Sequence, residues 1–169
     1  ATEAGRPSLA VRDLSSGETK PLAGTDGATF PFWSSDSRSI AFFADRRLKK
    51  VEATGGPVQA VCDANAGRGG SWGASGTIVF APDIEGPLMK VPETGGTPAA
   101  ATRAAGPETS HRNPWFLPDG RKVLFTARER RNAAVGTITV ASLDGGEPRT
   151  LVERGSNPQY AAGFLFFVV

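Results

Sequence analysis

The chain has 169 residues, enough to bury a core and suited to one domain. Its 19 Lys and Arg against 17 Asp and Glu leave a net charge of +2, too slight an excess to argue for nucleic acid. The single cysteine, Cys62, excludes an internal disulfide and reads as a small buried hydrophobe near the end of a strand.

Residues 8–22, LAVRDLSSGETKPLA, read as two strands around a Ser16-Gly17 turn. From residue 28 a longer unit begins and then recurs. FWSSDSRSIAFF leads to LKKVEATGGPVQAV, SWGASGTIVFA to LMKVPETGGTPAAAT, and WFLPDGRKVLFT to ITVASLDGGEPRTLV. Each copy is a hairpin opened by an aromatic strand, then a second hairpin closed at Gly55-Gly56, Gly95-Gly96 or Gly145-Gly146. Pro57, Pro98 and Pro148 start the outer strand, where an unpaired edge tolerates proline. The second strands alternate, with Ile40 and Phe42, Ile78 and Phe80, and Val123 and Phe125 facing one side. The end, QYAAGFLFFVV, supplies only a first and a second strand.

The aligned aromatics Trp33, Trp72, Phe116 and Tyr160 are 39, 44 and 44 residues apart. Four short strands at that period indicate an all-β fold, a β-propeller of four-stranded antiparallel blades. One domain over 1–169 divides into a half blade (8–22), blades at 28–62, 68–102 and 112–152, and a half blade (158–169). The two halves at the ends sum to four blade equivalents, at the small end of the usual range. They allow a closed ring, half of a two-chain ring of eight blades, or part of a larger propeller. The charged stretch 121–136 also carries a weaker helical signal, and its place in the repeat makes it a lengthened hairpin. The chain starts with Ala and shows no signal peptide, which reads as a processed or excised piece of a longer protein. No apolar run approaches 18 residues, so no membrane insertion is expected of this segment.

The FWS-x-D-x-R-x-IAFF hairpin and the following GG-x-P turn resemble TolB-like and WD-like propeller repeats. The run from FPFWSSDSRSIAFF to GTIVFAP, with GPLMKVPETGGTP, ETSHRNPWFLPDGRKVLF and SLDGGEPRTLV, is similar to the C-terminal propeller of bacterial eukaryotic-like serine/threonine kinases. In those proteins the propeller follows a kinase domain and a membrane helix and faces outside the cytoplasm as a sensor or interaction module. The resemblance therefore implies an extracytoplasmic or periplasmic location, although a disulfide-free chain also fits the cytoplasm. Kinase activity does not carry over, because the glycine-rich loop with its lysine and the HRD and DFG motifs are missing from these residues.

Propellers work through loops between blades and loops joining second to third strands. On that face the candidate ligand-binding residues are Glu108, His111, Arg112, Arg68, Asp83 and Arg46. His111 is the only histidine, placed as a proton carrier or ligand donor at the channel mouth, or else as a loop residue bonded to backbone. The basic clusters Arg46-Arg47 with Lys49-Lys50, and Arg128 with Arg130-Arg131, can hold phosphate or an acidic partner or simply be solvated. Asp36 and Asp119 recur at one hairpin turn, which favours a structural role over calcium. Trp33, Trp72 and Trp115 read as blade-packing residues, with Trp115 facing away from its neighbour Phe116. One histidine and one cysteine do not supply a His/Cys zinc site, and neither metal nor cofactor is expected.

These features point to a non-catalytic module binding a protein or small ligand on the loop face, as the sensor or interaction part of a bacterial signalling protein. The alternatives are a hydrolase or lyase at the channel mouth, drawing on His111, Glu108, Asp83 and Glu85, or a truncated propeller without independent function. A homodimer completing a larger ring is the partner arrangement that the half blades allow.

Overall fold

Fifteen strands and no helix make up the described residues, which in this computed structural model are 5–104, 108–129 and 136–169, with backbone alone for Glu108 and Thr109. Strands β1 (Ala10–Arg12) and β2 (Thr19–Pro21) form a hairpin by themselves. Strands β3 (Thr29–Trp33), β4 (Ser39–Ala44), β5 (Arg47–Glu52) and β6 (Gln59–Asp63) form the first four-stranded antiparallel sheet in that order. Strands β7 (Gly70–Trp72), β8 (Thr77–Phe80), β9 (Met89–Pro92) and β10 (Ala99–Ala100) repeat it. Strands β11 (Glu108–Phe116), β12 (Lys122–Glu129), β13 (Gly136–Ser142) and β14 (Arg149–Ala161) make the third sheet, and β15 (Phe164–Val168) pairs with the far half of β14.

The register is the same in each opening hairpin. Trp33 pairs with Ile40, Trp72 with Ile78, Phe116 with Val123 and Tyr160 with Leu165. The helical signal after residue 121 yields to strand over Lys122–Glu129, and residues 130–135 lie outside the described residues.

The core is three layers between consecutive sheets. Ile40, Phe42 and Ala44 pack back on Leu22 and Ala28, with Leu9 and Val11 of the first hairpin beside them. Ala41 and Phe43, on the other face of β4, meet Ile78, Phe80 and Trp72. Val79 and Ala81 then meet Val123, Phe125 and Ala127. The expected residues do share one face, but the opposite face of each second strand is buried as well. Each central sheet is sandwiched between two neighbours, so its second strand becomes a continuous apolar run, as in any sheet covered on both sides.

The closed four-blade ring is not made. Among the described residues, strands β1 and β2 pair only with each other and β15 only with β14, which leaves an open arc. Phe166 and Val168 of β15, aligned with buried Val79 and Ala81, are 55% and 58% exposed because no sheet covers that side.

Candidate functional site

The innermost strands β3, β7, β11 and β14 lie side by side along the inner edge of the arc, where they line two pockets. Three residues before each aligned aromatic, the backbone takes a positive φ: 47° at Phe30, 95° at Gly69, 49° at Asn113 and 55° at Asn157. Strand pairing slips at the same places, between Thr29 and Phe32, Arg112 and Trp115, and Ser156 and Gln159. These are β-bulges, which kink a strand and re-aim its side chains, and they favour the neighbourhood of binding sites. Pro31, Pro114 and Pro158 follow three of them, on a strand edge that needs no ladder hydrogen bond. A proline two residues before the aligned aromatic is the signal that the sequence carries for these bulges.

The bulges pack closely from blade to blade. The Asn113 amide donates to the Arg68 carbonyl at 3.0 Å. A Cβ on Gly69 would sit 3.0 Å from the Asn113 side-chain oxygen and 3.1 Å from its Cα, so this position requires glycine for space as well as for φ. Phe30, Phe32, Trp115, Asn113, Asn157 and Gln159 face an upper pocket of about 160 Å³. Below it, Trp33, Trp115 and Phe116 border a wider, more apolar space of about 460 Å³.

Arg46 occupies the two-residue turn between β4 and β5, where Asp45 and Arg46 both have positive φ, as a twist-matched hairpin turn demands. Its guanidinium donates to the Asn65 side-chain oxygen (2.9 Å), and the Asn65 amide donates to Asp83 (3.5 Å). Three loops from two blades are thereby tied into one polar row. The other cations of the first cluster have local partners. Arg47 lies 3.5 Å from Asp63, Lys49 is 2.5 Å from Asp45, and the Lys50 ammonium stands 6.0 Å from the Trp72 ring centroid.

Arg68 donates to the Gly67 carbonyl (3.0 Å), and its guanidinium lies 5.7 Å from the Phe30 ring centroid. Arg112 donates to Ser110 Oγ (2.6 Å) and to the Ile84 carbonyl (2.7 Å). Partial burial, with Arg128 and Arg68 nearby, holds the Arg112 guanidinium below its usual pKa, while Glu85 works the other way. It stays charged, since arginine does not deprotonate in proteins.

His111 is not at the mouth. It is 2% exposed, its Nδ1 lies 2.7 Å from Thr102 Oγ1, and its ring packs 4.5 Å from that of Phe125. The Thr102 hydroxyl oxygen also accepts the Leu88 amide, which fastens the ring to the preceding blade. Alternate residues on a strand point to opposite sides, so Ser110 and Arg112 face the loops while His111 faces the core. That alternation keeps Ser110 and His111 from joining in a triad. Asp83 uses its second oxygen on the Ile84 amide, on the loop side. Thus His111 and Asp83 are not brought together, whereas Arg68, Arg112, Asp83 and Arg46 share the loop face. Glu108 begins β11, and its side chain lies outside the described residues; Arg130 and Arg131 lie outside them entirely.

The remaining candidates are structural in their contacts. Asp36 accepts from Ser34 Oγ (2.6 Å) and the Arg38 amide (3.1 Å), and Asp119 from the Arg121 and Lys122 amides (2.9 and 3.0 Å). These hydrogen bonds hold both carboxyls below the ordinary value. Trp72 is 7% exposed and donates its indole N–H to Glu93 at 2.8 Å, while Trp33, at the equivalent position, is 47% exposed. Cys62 is partly buried, and that burial pushes its thiol up to about 11. The described residues hold no cluster of three or more metal-ligating side chains.

A depression of about 560 Å³ lies on the opposite face, between the first two blades around Trp72, Lys50 and Glu93. A related groove of about 410 Å³ around Lys90 and Leu143 separates the next two. Both grooves lie on the face of the short turns and recur with the repeat, one at each junction between adjacent blades.

No family model matches the chain, and no curated protein matches it. Solved structures do. A TolB-type protein from Agrobacterium tumefaciens superposes with a TM-score of 0.75 at 18% identity, over 92% of this chain and 58% of that one. TolB from Acinetobacter baumannii gives 0.70 at 16%, over 94% and 41%. A chain of the nidogen/laminin complex gives 0.76 at 11%, over 95% and 63%. The chain thus spans about two fifths to just under two thirds of the structures it matches. It has the fold of a TolB-like β-propeller, as a partial ring.

Proposed function

We propose that this chain is a non-catalytic binding module that receives a protein or small ligand on its loop face. The observation that carries the reading is the convergence there of Arg68, Arg112 and the Arg46–Asn65–Asp83 row, contributed by separate loops and set beside a row of bulged residues. The match to a nidogen/laminin complex supports it, since that propeller-containing assembly is a protein–protein complex. We further propose, on the resemblance of the repeats to the propellers of bacterial eukaryotic-like serine/threonine kinases, that the module is the extracytoplasmic, sensing part of a signalling protein. The hydrolase or lyase alternative finds less support, because His111 points from β11 into the core while its neighbours Ser110 and Arg112 point to the loops.

A fragment library screened by amide NMR tests this reading. Hits are expected to shift residues of the loop face, such as Asn65, Asp83 and Asn113. Hits confined to Gly95, Glu93 and the other turn-face residues overturn it.

A second reading concerns the open arc. The exposed Phe166 and Val168 and the unpaired edges of β15 and β1 favour a second copy of this chain, whose first hairpin would complete the last one into a mixed blade. Light scattering is expected to give a dimer that Phe166→Lys splits into monomers. A monomer for the unmodified chain refutes it.

A further inference from the structure

We propose that the loop-face end of the upper pocket is a carboxylate site, built on Arg68 and Arg112, for a ligand whose acid group is carried on a small apolar body. The inference rests on the loop-face reading and names its ligand chemistry. Arg68 and Arg112 come from adjacent innermost segments joined by the hydrogen bond from the Asn113 amide to the Arg68 carbonyl (3.0 Å), and the Arg112 guanidinium feels the charges of Arg128 and Arg68 against that of Glu85. Arg68 and Arg112 are both fixed before any ligand arrives. Arg112 is clamped between Ser110 Oγ and the Ile84 carbonyl, and Arg68 between the Gly67 carbonyl and the Phe30 ring. A guanidinium already held in place loses little side-chain freedom on binding, and its planar fork matches the two oxygens of a carboxylate.

The space beneath gives the rest of the ligand. The Arg68 guanidinium stands over Phe30, a wall of the upper pocket, and the backbone hydrogen bond from Asn113 to the Arg68 carbonyl sets the segment that carries Arg112 beside it. The pocket walls combine the rings of Phe30 and Trp115 with the amides of Asn113, Asn157 and Gln159. A pocket of about 160 Å³ holds one side chain or ring, not an extended substrate. Apolar walls with a few fixed polar groups and one charged anchor are the usual composition of a small-ligand site. A carboxylate at the rim with an aromatic or aliphatic body below fits this arrangement. Two sources share that chemistry, a free organic acid and the C-terminus of a peptide.

Calorimetry on the full chain separates them. The probes are 3-phenylpropionate, its carboxamide, and an acetylated tripeptide ending in phenylalanine with a free or an amidated C-terminus. At least one acid should bind, and its neutral amide should bind about ten- to a hundredfold more weakly, as expected for loss of a charge-assisted pair. Arg68→Gln and Arg112→Gln should each cause a loss in that range, and Arg112→Lys a smaller one. Arg112→Gln also removes the tie to Ile84, so Arg68→Gln is the variant that keeps the test decisive if β11 is disturbed. Equal binding of acid and amide, no binding by either acid, or tighter binding of inorganic phosphate overturns the proposal. Fragment hits on the loop face without acid preference would do so while leaving the loop-face reading intact.

Discussion

Gly67→Ala tests whether the loop leading into β7 is as tightly built as its contacts indicate. Gly67 is buried, its φ is not in the left-handed region, and alanine is therefore acceptable to the backbone. The added Cβ, however, would lie 2.2, 2.3 and 2.5 Å from three atoms of the Phe43 ring. That ring is 3% exposed and packed between Phe32 and Phe80, each 6.3 Å away between centroids. The loop has little freedom to retreat, since the Ala66 and Arg68 amides are hydrogen-bonded to Pro82 and Ala81 of the next blade (3.1 and 3.0 Å). Overpacking of this kind costs about 1–3 kcal/mol, and with both sides pinned the upper end applies. For a chain of this size that corresponds to a drop in Tm of about 6–12 °C. Thermal unfolding followed by circular dichroism measures it. Phe43→Leu alone should cost about 1–2 kcal/mol, and the double variant should be less destabilised than the sum by at least about 1 kcal/mol. A Gly67→Ala melting point within about 2 °C of the parent would show that the loop moves freely, and would refute the reasoning.

Glu93→Ala should remove the acceptor of the buried Trp72 indole, cost about 1–3 kcal/mol and change Trp72 fluorescence, whereas a variant indistinguishable from the parent would show that the bond is not maintained. The depressed carboxyls of Asp36 and Asp119 add stability above their unfolded value of 3.8 that is lost as pH falls through their lower folded values. Asp36→Asn with Asp119→Asn should therefore flatten the fall in Tm between neutral pH and pH about 3, and an unchanged profile would contradict the turn assignment. The Cys62 thiol, pushed up to about 11, should react with iodoacetamide at pH about 8 far more slowly in the folded chain than in urea. Equal rates would place Cys62 outside the layer between the first two blades.

The repeat was legible because a propeller writes its period directly into the chain. Each blade needs the same aromatic, the same tight turns and the same apolar second strand, so Trp33, Trp72, Phe116 and Tyr160 could be aligned and their cross-strand registers are equivalent. The roles of Asp36 and Asp119 were legible for the same reason, since a short side chain bonding its own turn is a local event. The site was less so. Arg112, Arg68, Asp83 and Arg46 sit on loops that the repeat places on one face, whereas His111 turns into the core. A strand reverses side with every residue, and only the pairing of β11 with β12 fixed which side that was.

What the amino-acid sequence determined by itself is therefore the blade: its strands, its turns, its register and the face on which its long loops fall. These follow from interactions within some forty residues. What only the tertiary structure decided depends on contacts between blades. It buried both faces of the second strands β4 and β8, turned His111 into the core, set the positive-φ residues Phe30, Gly69, Asn113 and Asn157 along the innermost strands, and left the arc open between β1 and β15. Such contacts join residues far apart in the chain, where no local period records them.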